Sequence, residues 1–289
     1  MSLTLEKLQQ LKRQAGGDIA RCERTDSSLP HALPRDARQG SGAPRAAQAS
    51  IETLRQLLRI RTPTPAFQPA SHDRTLPGLE IAPGLHLREA TLPDDTIPPT
   101  FCGAFDRKDA LPSSNLLFFD TETTGLAGGT GTRAFMIGAA DWHAGALRIR
   151  QLTMRTMAAE QAMLDAFRAW VRPDTVLVSY NGKCYDAPLL ATRYRLARQT
   201  NPLAGLPHVD LLYPTRRRYR GVYENCRLAT IERQVLRIVR EDDLPGSEAP
   251  AAWLSYLRGG SAQNLRRVLA HNHQDVISLS RLLRHLSIA

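Results

Sequence analysis

Apolar residues recur along this chain in runs and alternations that predict a set of β-strands. Continuous apolar runs at 116–119 and 175–180 are typical of buried strands. A further run covers 134–140, and residues 147–153 alternate between apolar and polar side chains, as expected of a strand with one exposed face. A weaker alternation at 85–91 indicates one more strand. Together these runs predict a sheet.

Helical periodicity fills the intervals between and after these strands. The helix predicted at 158–171 has an apolar face made of Met163, Leu164, Phe167 and Trp170. The other predicted helices cover 186–198, a short segment opening at His208-Val-Asp210, 226–236 with Asn225 as N-cap, a segment starting at Pro245, 264–270 and 275–286. This order of strands and helices predicts an α/β fold with a mixed sheet.

The first 80 residues differ in composition from the rest of the chain. Residues 3–14 and 51–60 predict two short helices, the first of them amphipathic. Residues 24–50 are rich in Ser, Pro, Gly, Ala and Arg, which is typical of a disordered linker. We therefore expect a partly disordered N-terminal arm over residues 1–80, acting as a tether or docking an unidentified protein partner. A single α/β domain is expected over residues 81–289.

Charge is distributed unevenly over the 289 residues, whose formal net charge is +10. Residues 1–115 hold 15 basic and 13 acidic side chains, whereas residues 116–289 hold 23 and 15. The basic excess therefore accompanies the predicted sheet and favours a polyanionic partner, either DNA or RNA. The alternative is the general Arg usage of a GC-rich genome, since Arg far outnumbers Lys.

The four cysteines, Cys22, Cys102, Cys184 and Cys226, show no C-x-x-C or zinc-binding spacing, so neither a disulfide framework nor a structural zinc is indicated. No apolar run approaches the ~18 residues of a membrane span. The N-terminus also lacks the apolar core of a signal peptide. We therefore expect a cytoplasmic protein with no membrane span.

Two acidic residues, Asp120 and Glu122, follow the predicted strand at 116–119. Residues two apart on a strand point to the same face, so the two carboxylates should repel each other and lose water. A divalent cation between them would relieve that repulsion. The alternative is a pair of exposed strand-end acids with no partner.

Two more acids occupy comparable positions. Asp186 opens the helix after the strand at 175–180, and Asp275 precedes an apolar helix face. Helix capping is a sufficient explanation for either residue taken alone. His271 lies four residues before Asp275, so the two side chains share a helix face. If they converge, the four carboxylates are enough to bind two divalent metal ions.

Taken together, three motifs resemble those of the DEDD (DnaQ-like) 3′–5′ exonuclease superfamily: Asp120-x-Glu122, Asn181-x-x-x-Tyr185-Asp186 and His271-x-x-x-Asp275. Three further features resemble one branch of it, the YprB-type ribonuclease-H-like domain proteins: the glycine-rich run at 125–131, His208-x-Asp210-Leu-Leu and Pro245-Gly246. The resemblance covers about residues 80–289.

This resemblance implies a ribonuclease-H-like mixed sheet flanked by helices and a site for two Mg²⁺ or Mn²⁺ ions. It also implies hydrolysis of phosphodiesters at the 3′ ends of single-stranded or frayed nucleic acid. Asp120 would bridge the two ions, Glu122 and Asp275 would complete the shell of one, and Asp186 would serve the other, partly through water. One ion would activate a bound water, and the other would stabilise the leaving 3′ oxygen.

His271 departs from the two main subgroups of the superfamily. In those subgroups a catalytic Tyr lies four residues before the last Asp, or a His lies five residues before it. Here Ala270 occupies the second position, and His271 occupies the tyrosine register. We expect a neutral His271 imidazole to orient the attacking water or to accept its proton. The alternative is a structural role at the helix junction.

Further residues are predicted to contact nucleic acid. The run at 125–131 fits no standard phosphate-binding pattern, so we interpret it as a turn that lets substrate approach the backbone. Lys183 and the arginines at 216–220 are predicted to follow backbone phosphates, although a solvated helix face also explains the arginines. The predicted contacts are Thr123, Gly125, Leu126, Asn181, Lys183, Arg216, Arg217, Arg218 and Arg220.

Alternatives remain for several residues and for the function. Tyr185, Tyr219 and Tyr223 could stack on bases, with core packing as the expected role of Tyr185. His208 and Asp210 could join the site, but Asp210 is expected to cap the following helix. The rival functions are non-catalytic nucleic-acid binding on the same fold and structure-specific endonuclease activity. The sequence does not distinguish DNA from RNA.

Overall fold

The computed structural model of the protein describes residues 73–125 and 130–288. The helices predicted at 3–14 and 51–60 and the linker predicted at 24–50 lie outside the described residues. The fold described below is therefore that of the predicted α/β domain.

Strands account for much of the first half of the described chain. They are β1 Leu79–Ala82, β2 Leu85–Pro93, β3 Thr100–Phe101, β4 Leu111–Pro112, β5 Leu116–Thr123, β6 Ala134–His143, β7 Ala146–Met154, β8 Val176–Ser179 and β9 His208–Asp210. Seven of them form one sheet in the order β1-β2-β7-β6-β5-β8-β9, while β3 and β4 pair separately. The pairs β5–β8 and β8–β9 are parallel and the other pairs in this sheet are antiparallel, so the predicted mixed sheet is confirmed.

Helices cover the sheet and dominate the second half. They are α1 Glu160–Arg168, α2 Asp186–Leu196, α3 Leu212–Tyr219, α4 Leu228–Ile231, α5 Ala249–Leu257 and α6 Gln263–Ile288. A π-helical turn, Glu232–Leu236, continues α4, and 3₁₀ turns occupy Ala104–Asp106, Ser113–Asn115, Met157–Ala159 and Gly246–Glu248. Within the described ranges, no helix combines the length and the apolar character needed to cross a membrane.

Two predictions for the last third of the chain are wrong. The helix predicted to open at His208 is the strand β9, which pairs in parallel with β8 and is too short for alternation to reveal it. The helices predicted at 264–270 and 275–286 form one continuous helix, α6, because no Gly or Pro interrupts its 26 residues. One long helix therefore carries both His271 and Asp275.

The helix predicted at 226–236 is confirmed over residues 228–236, as α4 followed by its π turn. Its N-cap is Arg227 and not the predicted Asn225, whose side chain instead accepts a hydrogen bond from the Arg227 backbone N–H at 2.9 Å. One further prediction needs correction. β7 was predicted to have one exposed face, but both of its faces are largely buried. Its Arg150 is buried because the guanidinium pairs with Asp141 at 3.1 Å and stacks on the Trp170 ring.

The core occupies both faces of the sheet, as the alternation along β5 shows. Leu117 and Phe119 belong to one apolar cluster, which includes residues of α1, α2 and α5. Leu116 and Phe118 belong to a second cluster, which includes the C-terminal half of α6. Successive strand residues point to opposite faces, so the two clusters lie on opposite sides of β5. Asp120 and Glu122 continue the face of Leu116 and Phe118.

Candidate metal centre

Asp120 and Glu122 share one face at the end of β5, as the i, i+2 spacing predicts. Glu122 is only 7% exposed. The β5–β6 register becomes irregular between Glu122 and Thr123, directly after the acidic pair. The amide Nδ2 of Asn272 on α6 donates to Asp120 Oδ2 at 3.0 Å. The carboxylate of Asp120 therefore has a defined orientation.

Asp186, the first residue of α2, is a third carboxylate, close enough for its charge to raise the pKa of both Asp120 and Glu122. The hydroxyl of Thr121, which lies between the two acids of β5, donates to Asp186 Oδ1. Gly182 lies against this contact, and a Cβ there would meet the Ser179 hydroxyl and approach Asp186 Oδ2. The bond from Thr121 joins the first turn of α2 to the central strand.

Asp210 shapes the loop that precedes Asp186. Its side chain is fully buried, and its two oxygens accept hydrogen bonds from the backbone N–H groups of Asn181 at 2.7 Å and Lys183 at 3.1 Å. It also accepts from the N–H of Leu212, the first residue of α3, at 3.1 Å. The predicted capping role of Asp210 is thus only part of its function, because one carboxylate fixes both a loop and a helix start.

The helix α6 supplies the fourth carboxylate. The Nε2 atom of His271 lies 3.4 Å from Asp275 Oδ2, and its Nδ1 atom lies 2.7 Å from Asp243 Oδ1. One potential ligand atom from each of Glu122, His271 and Asp275 lies within 4.8 Å of the others. The structure therefore brings His271 and the carboxylates of β5 and α6 together.

Asn272 was not identified from the sequence, although it lies between the two residues of the third motif. It is buried, and its Oδ1 accepts a hydrogen bond from Gln151 Nε2 at 3.0 Å. Gly138 on β6 leaves the space for it, since a Cβ at that position would collide with Asn272 Oδ1. A chain of side chains thus connects β7, α6 and Asp120.

Arg240 is the second residue that the sequence did not reveal. Its guanidinium donates to both oxygens of Glu232 at 2.7 and 2.6 Å, and also to Asp275 Oδ1. Glu232 is 1% exposed, so this ion pair is held inside the protein. Arg240 therefore occupies one oxygen of Asp275 and leaves the other facing His271.

Burial and mutual repulsion shift the ionisation of these acids. Burial raises the pKa of Asp120 and of Glu122 well above its usual range, and the negative charge of Asp275 raises both further. Burial raises the pKa of Asp186 to about 6. Carboxylates this close ionise together only when a cation neutralises them. Their oxygen atoms are the ligands that Mg²⁺ and Mn²⁺ prefer, so the residues fit divalent ions.

The predicted nucleic-acid contacts near the carboxylates lie in two segments. Thr123 and Gly125 continue β5 past the acidic pair, and the Thr123 hydroxyl donates to the Gly125 carbonyl at 2.9 Å. Asn181, with a φ of 69°, and the exposed Lys183 lie in the loop that Asp210 holds. Leu126 lies outside the described residues.

The predicted arginine contacts lie at the end of α3. The side chains of Arg216, Arg217, Arg218 and Arg220 are exposed. Arg217 donates to the Phe105 carbonyl at 2.6 Å and lies 3.8 Å from Asp106, so it is partly engaged within the protein. α3 begins two residues after Asp210, which places the arginines on the element that leads away from the Asn181–Lys183 loop.

Tyr185 and Tyr219 exchange their expected roles. Tyr185 is 63% exposed, so the prediction that it packs in the core is wrong. Tyr219 is buried, stacks on Tyr223 and contacts His285 Nε2 through its hydroxyl at 2.6 Å, which removes it from the candidates for base stacking. Tyr185 immediately precedes Asp186 and presents an exposed aromatic side chain beside the centre.

His208 lies at the edge of the sheet. Its Nε2 lies 2.8 Å from the Ser179 hydroxyl, which connects β9 to β8. Burial, reinforced by the positive charge of Lys183, lowers the pKa of His208 to about 4, so it is neutral near pH 7. These contacts give His208 a structural position between two strands.

The fold and the acidic cluster on its central strand define a ribonuclease-H-like protein. Residues 117–287 match the model of a family described as the RNase_H superfamily. This match covers more than half of the chain, which therefore belongs to that family. The ribonuclease-H-like fold predicted from the motifs is confirmed.

Individual proteins also resemble this chain. The chain is 38% identical over 175 residues to the uncharacterized protein YprB of Bacillus subtilis (strain 168), and the match covers 60% of this chain and 42% of YprB. The predicted resemblance to YprB-type proteins is therefore confirmed, over less than half the length of that relative. The family B DNA polymerase of the archaeon Pyrobaculum calidifontis matches with 14% identity and a TM-score of 0.45, covering 63% of this chain and 28% of the polymerase. A structure of exonuclease I (apo) matches with 15% identity and a TM-score of 0.36, covering 54% and 44% of the two chains.

Proposed function

We propose that this protein is a metal-dependent 3′–5′ exonuclease that acts on single-stranded or frayed nucleic acid. The observation that carries the proposal is that Asp186 and Asp275, from two different helices, lie close enough to Asp120 and Glu122 on β5 for their charges to raise the pKa of both. Asp120, Glu122 and Asp186 each have a pKa raised chiefly by burial, so the cluster is unfavourable without a cation. Membership of the RNase_H superfamily and the motif spacing support the same assignment.

Two bound Mg²⁺ or Mn²⁺ ions would supply an activated water and neutralise the charge that develops on the phosphate and the leaving oxygen. Asp120 would contact both ions, Glu122 and Asp275 one of them, and Asp186 the other. Asn272 and Thr121 position Asp120 and Asp186 by donating to one oxygen of each carboxylate. The remaining oxygens stay available to the ions.

The segments around the carboxylates would hold the substrate. Lys183 and the exposed arginines of α3 would bind backbone phosphates, and the backbone at Thr123 and Gly125 would lie beside the terminal nucleotide. Tyr185, exposed and adjacent to Asp186, would stack on a base. The net basic charge after residue 115 would favour a polyanion over a neutral substrate.

The test is a cleavage assay with purified full-length protein and MgCl₂ or MnCl₂. The substrates are 5′-labelled single-stranded DNA, single-stranded RNA and duplexes, with a circular single-stranded DNA as control. We expect linear strands to shorten one nucleotide at a time, the circle to stay intact and excess EDTA to stop the reaction. The inactive variant is Asp120→Asn, and its matched control is Asp95→Asn, which changes an exposed acid.

Each other outcome selects a rival function. Cleavage of the circular strand would identify an endonuclease. Metal-independent binding without cleavage would support a non-catalytic nucleic-acid-binding protein. Undiminished wild-type cleavage in excess EDTA would contradict the metal mechanism itself.

A further inference from the structure

His271 presents its two ring nitrogens to two different acidic groups. Nδ1 lies 2.7 Å from Asp243 Oδ1, and 3.1 Å from the Nη1 atom of Arg240. A carboxylate can only accept a hydrogen bond, whereas an arginine can only donate one. The shorter contact is to the carboxylate, so Nδ1 carries a hydrogen directed at Asp243. Nε2 is then the nitrogen without that hydrogen, and it lies 3.4 Å from Asp275 Oδ2.

We propose that His271 Nε2 is itself a metal ligand, which makes one ion site from Glu122, His271 and Asp275. Such a site, with one imidazole and two carboxylates, would prefer Mn²⁺ or another first-row transition ion over Mg²⁺. The proposal rests on the proposed function for the presence of a divalent ion. It replaces the water-orienting role that the sequence suggested for His271 with a direct bond to the ion.

The distances suit ligands that share one ion. Nitrogen and oxygen ligands lie about 2.1 Å from such an ion, so two of them are about 3.0 Å apart at a right angle and about 3.4 Å apart at a tetrahedral angle. The observed separation of His271 Nε2 and Asp275 Oδ2 is 3.4 Å. The three candidate ligand atoms, all within 4.8 Å of one another, could surround a single ion after small side-chain adjustments.

The hydrogen-bond partners of His271 and Asp275 are of the kind that usually support metal ligands. A histidine that binds a metal usually donates its other N–H to a carboxylate, which fixes the ring and its tautomer. Asp243 occupies that position for His271. On the other side, Arg240, held by Glu232, takes Asp275 Oδ1 and leaves Oδ2 next to the imidazole. Asp275 would therefore bind the ion through one oxygen.

An imidazole ligand changes the choice of ion. Mg²⁺ favours oxygen ligands and retains several waters, whereas first-row transition ions accept imidazole nitrogen more readily, with an affinity that rises from Mn²⁺ towards Cu²⁺. A histidine that only oriented a water would leave the metal affinity almost unchanged. The two roles of His271 are therefore separated by measuring metal binding without any nucleic acid.

The experiment uses the full-length protein freed of metal by EDTA and dialysis. Calorimetric titrations with MnCl₂ and with MgCl₂ give the two affinities, and the visible absorption of added CoCl₂ reports nitrogen ligation. We expect Mn²⁺ to bind more tightly than Mg²⁺. We expect His271→Gln to weaken Mn²⁺ binding at least about 10–100-fold, the usual cost of disturbing even a supporting residue, with a smaller effect on Mg²⁺.

Two pairs of variants sharpen the result. Asp243→Asn should weaken Mn²⁺ binding, while Asp242→Asn, next to it and 83% exposed in its side chain, should not. His143→Gln removes an exposed histidine and should leave both affinities unchanged. Melting temperatures in EDTA identify any variant that fails to fold. If His271→Gln is such a variant, the comparison of Asp243→Asn with Asp242→Asn decides the outcome.

The outcomes also separate this proposal from the nuclease proposal. Unchanged Mn²⁺ and Co²⁺ binding in folded His271→Gln would overturn the ligand role. If the same variant also had lower turnover, His271 would have the alternative role of orienting the attacking water. Equal affinities of the wild-type protein for Mn²⁺ and Mg²⁺ would contradict the proposed preference of the site for a first-row transition ion. If Mn²⁺ binds in a His271-dependent way but no nucleic acid is cleaved, the metal site stands and the exonuclease assignment fails.

Discussion

Asn272 holds Asp120 at two points, since its Nδ2 lies 3.0 Å from Asp120 Oδ2 and 3.4 Å from the Asp120 backbone carbonyl. This contact ties the middle of α6 to the end of the central strand. The same asparagine accepts from Gln151, so its own orientation is set by β7. The orientation of the Asp120 carboxylate therefore depends on two uncharged side chains, Asn272 and Gln151.

Gly138→Ala should lower activity without changing any acidic residue. The added methyl group would occupy the space of Asn272 Oδ1 and displace the amide from Asp120. We expect a loss of about 10–100-fold in metal affinity or turnover, the usual effect of disturbing a residue that orients a ligand. Gly145→Ala is the control, because it adds the same methyl group in the turn between β6 and β7, where a Cβ meets nothing within 4 Å and only the φ of +73° costs stability. Equal activity of the two variants would show that Asn272 does not position Asp120.

Asp120→Asn should abolish cleavage and raise the melting temperature of the metal-free protein near pH 7. The substitution removes a buried carboxyl group that must either stay ionised beside other acids or take up a proton on folding, both of which cost stability near pH 7, and the new amide oxygen can still accept from Asn272. Each kcal/mol of relieved repulsion corresponds to about 2–4 °C for a domain of this size. Calorimetry in EDTA measures the shift, with Asp95→Asn as the control. A lower melting temperature would mean that the charge is already compensated.

The stability of the metal-free protein should fall as pH rises from about 4 to 7. The pKa of Asp186 is about 6 in the folded protein and near 3.8 when unfolded, and those of Asp120 and Glu122 are also raised. The folded state therefore binds more protons than the unfolded chain across this window, and stability decreases with pH. These groups contribute most below about pH 4, where both states are protonated.

Divalent ions should reverse this trend, because an ion replaces the protons. The rise in melting temperature caused by MnCl₂ should be larger at pH 7.5 than at pH 5. Melting curves at both pH values, with EDTA or with MnCl₂, test the prediction. A metal-induced shift that is the same at both pH values would argue that the carboxylates are not the ligands.

Arg216→Ala combined with Arg218→Ala should weaken nucleic-acid binding and flatten its salt dependence. Both side chains are exposed, and each lost phosphate contact should reduce the slope of log affinity against log salt by about one. Arg217 is left in place because it also donates to the Phe105 carbonyl. Binding to labelled strands at several salt concentrations, with EDTA present, gives the slope. Arg258→Ala, an exposed charge after α5, is the control, and an equal slope in both variants would assign the α3 arginines to a solvated face.

Asp210→Asn should reduce both stability and activity. Three backbone N–H groups donate to the two oxygens of Asp210, and an asparagine can offer only one oxygen to them. The side-chain NH₂ group would then face a backbone donor, at a cost of about 1–3 kcal/mol for the unsatisfied group. Chemical denaturation and the cleavage assay report the two effects. Unchanged stability would show that the Asn181–Lys183 loop is held by other contacts.

Local patterns predicted the parts of the site that depend on neighbours in sequence. The spacing of Asp120 and Glu122 determines a shared face on any strand, and the apolar run before them made β5 recognisable. The position of Asp186 at a helix start followed from the strand before it in the same way. These predictions are correct because the geometry of a strand or a helix fixes such features, independently of what the element packs against.

The residues that the sequence did not reveal act across elements. Arg240 reaches Asp275 and Glu232, and Asp243 reaches His271, only because the segment after α4 packs against α6. Tyr185 was misjudged because its exposure depends on how the Asp210 carboxylate turns the loop before it. No periodicity in the chain carries such information.

The uninterrupted course of α6 limits how the chain can change in length. The helix has 26 residues, which corresponds to about 39 Å, and His271, Asn272 and Asp275 lie near its middle. One inserted residue would turn everything beyond it by about 100° around the helix axis. The site residues or the apolar side chains at Leu279 and Leu283 would then point away from the sheet. An insertion or deletion inside this helix is therefore incompatible with an intact centre.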